Sequence, residues 1–420
     1  MLTKEKRQKF SENFSIKGIP YLFFLFKKFF LRIDIYFIYP FVFLMCLIVI
    51  LLRPIFFIRF GSLFTAKIGP FSSHPELNLC EKEHLLQPKD TFDIYGLKKP
   101  YFVCNKHLLK MWRRTLRIWD HSIYFFNVLS ILPGGKKHLI KTSLYSRDIH
   151  GLLTKSKINL KFTSEEILEG ENFLKKNGLE NKKLILMINR SQRYLDEVYN
   201  FNVNFNYHSY RNNSIDLYVP AAEELTKLGY HVIRMGHLVG DKIKTSNKQI
   251  IDYDNLGLRN DFLDIYLASK CEYIFGTDTG YFAIPGWNFR KPILYVNFSQ
   301  LEFIEPWLAS WLMIFKKYWL IKEKRFLTIK EILPSGFGRF HRSNEYKNNG
   351  IELINNTKKE IIEVNLEMVK RLNGEWIESD EDKELQKLFW KNFEKSSLHG
   401  NFLGKIGSKF LKENKELFIN

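Results

Sequence analysis

Residues 261–280, DFLDIYLASKCEYIFGTDTG, read as a helix over 261–270, a strand over 273–275 and a turn, Gly276-Thr277-Asp278-Thr279-Gly280, closed by glycine at both ends. The same unit recurs on either side. Upstream, KLILMI at 183–188 is a strand, 216–228 a helix and 231–235 a strand; downstream, 292–297 is another strand. Strand, helix, strand, helix, strand is the order of a parallel, doubly wound α/β sheet. In such sheets ligands sit beyond the carboxyl ends of the strands, so the residues that follow each strand are the candidate site.

Those residues are basic and turn-forming. The turn Thr277, Asp278, Thr279 and Gly280 offers amides and hydroxyls to a phosphate or a ribose, and its bland reading is a common Asp-x-Gly turn. Arg190 and Arg193 follow the strand 183–188, and Arg234 closes the strand 231–235. Arg211 precedes the helix at 216, whose N-terminus adds anion stabilisation. A guanidinium matches a diphosphate bidentately, so these positions predict a pyrophosphate clamp, in which Arg234 contributes little to packing. Asp-Thr-Gly also marks aspartic proteases, but those need an all-β fold and a pair of such carboxylates, and this chain has a single copy among alternating helices and strands. Neither G-x-G-x-x-G nor a Walker A sequence occurs, against dinucleotide dehydrogenases and P-loop kinases.

Further out, Thr163-Ser164-Glu165-Glu166 is a capping box that starts a helix stopped by Asn177-Gly178, and 151–163 is a hinge candidate. Strands are expected at 54–60 and 91–97, a basic amphipathic helix at 105–118 and an apolar run at 123–132. Residues 301–420 read as mostly helical, including 303–320, 358–372 and a helix capped near Ser379, with an amphipathic tail at 402–418.

Eighteen uncharged residues at 35–52, IYFIYPFVFLMCLIVILL, would form a helix about 27 Å long, enough for a bilayer core. The aromatic segments 21–26 and 29–31, broken by Lys27, Lys28 and Arg32, read as a helix lying among lipid headgroups. Basic residues flank the apolar stretch on both sides and Pro40 interrupts it, so a monotopic or re-entrant anchor with both flanks cytoplasmic is expected. The stretch starts too far in and is followed by Arg53-Pro54, unlike a cleaved signal peptide. The competing reading is a buried core helix.

The chain has 420 residues and a formal charge of +19, which favours polyanionic partners. Its lysines run throughout rather than in one block, so nucleic acid is not an expected partner. Cys46, Cys80, Cys104 and Cys271 lie far apart and fit a reducing compartment, and no zinc motif can be assembled.

The runs Arg59-Phe60-Gly61, Lys67-Ile68-Gly69 and Pro75-Glu76, then Tyr210-Arg211-Asn212, 228–236 (LGYHVIRMG), Ile251-Asp252-Tyr253, 259–267 (RNDFLDIYL) and the Thr277 turn resemble a family of bacterial glycosyltransferases associated with surface-polysaccharide loci. The resemblance covers about 58–297, with a weaker likeness in 406–418. It implies a GT-B-like architecture of two Rossmann-like domains: a membrane-associated segment at 1–53, an acceptor domain at 54–160, a donor domain at 161–345 and a helical tail at 346–420. It also implies a nucleotide-sugar donor, a glycan or lipid-linked acceptor, no metal or other cofactor, and a place on the cytoplasmic side of the bacterial inner membrane. Asn212 and Gly236 then join the donor contacts. The family pattern has His after Ile-Gly where this chain has Pro70, which leaves His74 and Glu76 as substitutes for a catalytic role. A sugar-nucleotide epimerase and a non-catalytic membrane scaffold are the alternatives, and the sequence does not indicate an oligomeric state.

Overall fold

A computed structural model describes residues 33–98, 102–141, 146–190, 193, 197 and 205–419, with 33–37 and 205–206 described by their backbone alone. The headgroup helix expected at 21–31 lies outside the described residues. The chain forms two compact units whose limits differ from the four expected segments.

One unit holds the described residues up to Ser62, with Asp90–Lys98 and Leu116–Ile140. Strand β1 (Ile58–Leu63) pairs with β2 (Phe92–Leu97), and Arg59 donates twice to the Asp93 carboxylate at 2.8 Å. The helix Ile33–Leu51 packs Val42, Cys46 and Val49 against Phe125, Val128 and Leu129 of the helix Ile123–Ile131. The spacing of these three positions is one helical face. Phe41, Leu44 and Leu51, on the other side, are 63%, 56% and 77% exposed. Among the described residues no helix is long and apolar enough to cross a membrane. Of the Rossmann-like acceptor domain expected over 54–160, this unit contains the β1–β2 pair and two isolated bridges, Phe60 to Leu139 and Tyr95 to Ile118.

The second unit holds Leu63–Lys89, Lys99–Thr115 and Lys141–Asn420. Its seven-stranded sheet comprises β3 (Leu184–Ile188), β4 (His231–Arg234), β5 (Ile250–Asp252), β6 (Tyr273–Gly276), β7 (Ile293–Phe298), β8 (Leu312–Phe315) and a late strand (Lys405–Ile406). Every pairing is parallel, in the spatial order β5-β4-β3-β6-β7-β8-late strand. This is the order of a doubly wound sheet, and β3 and β6 flank its switch point. β3, β6 and β7 are buried at every residue, as parallel strands covered on both faces must be.

Crossovers that leave the centre in opposite directions place their helices on opposite faces. Val219–Lys227 links β3 to β4 and packs with Lys358–Leu372. Asp261–Lys270 links β5 to β6 and packs with Lys106–Thr115, whose Leu108, Met111 and Trp112 are buried. Trp112 donates its indole N–H to the carbonyl of Phe71, in the helix Ile68–Glu83. Both Ile68–Glu83 and Lys106–Thr115 therefore belong with the large sheet, and no boundary falls at the expected hinge.

The helix expected at 303–320 is β8 and, after Lys316, β9 (Lys317–Leu320), which pairs antiparallel with β10 (Arg325–Phe326) and β11 (Ile351–Ile354). Its aromatic content suits strands as well as helices. The tail is also not wholly helical: Lys405–Ile406, hereafter β12, extends the sheet beside β8, and Ser408–Glu413 packs on Lys358–Leu372.

Candidate functional site

The last pair across the switch point is Ile188 with Gly276. Gly276 has φ +150°, and a Cβ there would lie 1.8 Å from the Ile188 carbonyl oxygen, so only glycine closes this strand end. The Thr277 amide donates to that same carbonyl at 3.2 Å. The Thr277 hydroxyl is buried, accepts from Asn213 Nδ2 at 2.9 Å and shares a 2.5 Å hydrogen bond with the Tyr218 hydroxyl, which receives Asn297 Nδ2 at 3.0 Å. Thr277 thus fixes the turn from inside and does not present its hydroxyl to a ligand. Asp278 meets Arg211, Nη2 to Oδ2 at 2.9 Å. Burial pushes the Asp278 carboxyl up, against Arg211, Arg190 and Lys316. Thr279 keeps a buried hydroxyl without a hydrogen-bond partner among the described residues.

Gly280 touches the start of the helix Ile68–Glu83. A Cβ on Gly69 would lie 3.0 Å from Gly280 Cα, and one on Gly280 would lie 2.9 Å from the Gly69 nitrogen. Two cavities meet along this glycine seam, each bordered by Gly69, Pro70, Thr279 and Gly280.

The first, about 320 Å³, lies over the ends of β3 and β6 and takes in Lys67, Asn189, Arg190, His208, Arg211 and Arg259, with Gly236 at its edge. Its charges do not cancel. Arg211 is held by Asp278, and Arg259 by Asp261 at 3.1 Å and Asp264 at 2.7 Å. Arg190 and Lys67 have no ion pair among the described residues, and Arg190 Nε is buried without a hydrogen-bond partner. Burial, then the nearby Arg211, lowers Arg190 to about 10. His208 is pushed down to about 4 by burial, then by Arg190, Arg211 and Lys67, so it is neutral at pH 7 while reporting a positive potential. Lys67 also stands at the N-terminus of a sixteen-residue helix, with no side chain capping it. Two uncompensated cations and that N-terminus face one space, an arrangement that stabilises a bound dianion.

The second cavity, about 520 Å³, is bordered by Ser73, His74, Ser146, Trp287 and Glu305. A third, about 650 Å³, reaches Arg190, Arg193, Asn212 and Arg234.

No family model matches the chain and no curated protein matches it. The chain is similar to two solved structures over part of its length. A family 9 glycosyl transferase from Veillonella parvula aligns over 76% of this chain and 98% of its own, at 11% identity and a TM-score of 0.42. E. coli ADP-heptose LPS heptosyltransferase II aligns over 61% of this chain and 90% of its own, at 12% identity and a TM-score of 0.35.

The structure separates the four arginines. Arg190 and Arg211 share the first cavity, whereas Arg193 is exposed and paired with Glu197 at 2.6 Å. Arg234 is 1% exposed and binds Asn189 Oδ1 at 3.2 Å, the Val239 carbonyl at 3.0 Å, the Asp241 carbonyl and Asp252 at 3.5 Å. It ties β4 to the loop after it and to β5, so the expectation that it adds little to packing is corrected. Its edge still borders the third cavity, as does Asn212. His74 lines the second cavity. Glu76 lines neither of the two cavities at the seam: it is fully buried, and its carboxylate accepts from Arg290 at 2.7 Å, Asn159 at 3.1 Å and Asn288 at 3.5 Å, joining the helix to 284–290. Lys67, His208, Arg259 and Glu305 were not singled out as site residues from sequence. Lys67 carried one usable signal, a Gly-Pro pair opening a helix two residues later.

Proposed function

We propose that this protein is a glycosyltransferase that moves a sugar from a nucleotide-sugar donor to a glycan or lipid-linked acceptor of a bacterial surface polysaccharide, at the cytoplasmic side of the inner membrane. The observation that carries the reading is the uncompensated charge of Arg190 and Lys67 at the β3–β6 switch point, beside the N-terminus of Ile68–Glu83. Departure of a nucleoside diphosphate from a sugar builds negative charge on the leaving phosphate, and preset cations and helix amides stabilise that charge. In this GT-B-like division of labour the large sheet holds the donor, and the segment 54–160 contributes to the acceptor side through Ile68–Glu83. The outward apolar face of Ile33–Leu51 supplies the membrane contact.

The test is direct. Purified protein is titrated with UDP, GDP, ADP and CDP by calorimetry, then incubated with the matching nucleotide sugars, with and without bacterial lipid extract, while nucleotide release is followed. Micromolar binding of one nucleotide and lipid-stimulated release are expected. Failure to bind any of the four would sink the reading.

A further inference from the structure

We propose that the second cavity seats the acceptor hydroxyl and that Glu305 is the group that takes its proton. This rests on reading the first cavity as the donor site. Gly69, Pro70, Thr279 and Gly280 border both cavities, and the backbones of the two glycines meet there with no side chain between them. A sugar that extends from a diphosphate in the first cavity toward this shared border presents its anomeric carbon to the second. Glu305 borders that second space, as does His74 on the opposing helix. One Glu305 oxygen accepts from the Tyr295 hydroxyl at 2.7 Å, and the other is 3.8 Å from Arg147, which leaves the second oxygen lone pairs to spare.

The step balances without another reactant. The acceptor oxygen bonds to the anomeric carbon as the bond from that carbon to the diphosphate oxygen breaks. The electron pair leaves on the diphosphate, beside Arg190 and Lys67, and the hydroxyl proton passes to Glu305. Attack opposite the leaving group inverts the anomeric centre.

Burial pushes the Glu305 carboxyl up to about 7, opposed by Arg147 and the Tyr295 hydrogen bond. The charged groups around it are Arg147 from the segment before 150, Asp278 from the β6 turn and Arg211 from the loop before Val219–Lys227, with Tyr295 of β7 and His74 of Ile68–Glu83 as the other titratable neighbours. A base must be deprotonated to act, so turnover rises through pH 7 and levels above it.

The experiment uses the full chain. Wild type, Glu305→Gln, Glu305→Asp and Arg190→Ala are titrated with UDP, GDP, ADP and CDP. Nucleotide release from the sugar nucleotide of the best binder is then followed from pH 5 to 9, with water alone and with octyl glucoside as acceptor. Glu305→Gln is expected to bind nucleotide within about twofold of wild type, to turn over roughly 100-fold more slowly and to lose the rise near pH 7. Glu305→Asp retains that rise with a reduced rate. Wild-type turnover by Glu305→Gln, a retained anomer in the product, or a wild type that binds nucleotide but releases none at pH 9 each overturns the proposal. Loss of nucleotide binding and of melting temperature in both Glu305 variants assigns the residue to the fold and overturns it too. A wild type that binds no nucleotide fails the donor reading itself, and this inference falls with it.

Discussion

Arg211 Nη2 stands 2.9 Å from Asp278 Oδ2, with both side chains less than one-fifth exposed, so the one acid of the Thr277 turn is neutralised by an arginine of the neighbouring loop. Breaking a buried pair by removing one partner leaves an uncompensated charge that costs about 3 kcal/mol or more. Asp278→Asn should therefore lower stability by about 3 kcal/mol. It also frees a third cation beside the first cavity, so nucleoside diphosphate affinity should rise or hold. Denaturant melts and calorimetry measure both; weaker binding by a folded Asp278→Asn protein would show that Asp278 itself contacts the ligand.

Arg190 and Arg234 come from equivalent places, the ends of adjacent strands, yet the structure gives them opposite surroundings. Arg190→Ala removes a desolvated cation with no ion pair among the described residues, so stability should hold or rise. Loss of a charge-assisted hydrogen bond of about 1.5–3 kcal/mol should weaken nucleoside diphosphate binding roughly 10- to 150-fold. Arg234→Ala removes the ion-pair partner of Asp252 and the donor to Asn189 and to two carbonyls, and should cost about 3–5 kcal/mol of stability. Equal melting temperatures for the two variants would contradict the division.

That contrast marks what the sequence can carry. The alternation of apolar strands with helices makes the sheet legible, because period and capping are local: the helices 261–270 and 358–372 appear as read, and the Thr163 and Ser379 capping boxes open theirs. Which arginine meets a ligand is not local. It depends on whether Asp252 or empty space faces the guanidinium, and that is fixed by the pairing of β4 with β5. The helix Ile68–Glu83 was missed because Pro75 lies inside it and its buried face mixes Ser72, Ser73, Glu76 and Asn78 with Phe71 and Leu77 instead of forming an apolar stripe. With that helix went the signal for Lys67 and for the glycine seam.

His208 offers a titration of the first cavity. Its protonated form is disfavoured by burial and by Arg190, Arg211 and Lys67, which hold it near 4. An anion bound among the same cations favours the imidazolium, so the pKa must rise, by about 1–3 units for a charge within ~5 Å. Binding should then take up protons below pH 7, and affinity should increase as pH falls toward 5. Histidine NMR with and without saturating nucleoside diphosphate reads this. An unmoved His208 resonance would place the anion elsewhere.

The two faces of Ile33–Leu51 separate packing from the proposed membrane contact. Val42, Cys46 and Val49 are buried against Ile123–Ile131, so Cys46→Asp places an unpaired charge in that core and should prevent the unit from folding. Phe41 and Leu44 point away from those contacts and are more than half exposed. Phe41→Asp and Leu44→Asp should leave the fold intact. Each removes apolar area that would enter a bilayer surface, so at ~25 cal/mol per Å² each should weaken association by about 1–2 kcal/mol, or roughly 5- to 30-fold. Flotation with vesicles of phosphatidylethanolamine and phosphatidylglycerol checks the ratio, and circular dichroism checks the fold. If the doubly substituted protein floats as well as wild type, the outward face of this helix is not the membrane contact, and attachment must be sought in residues 1–32.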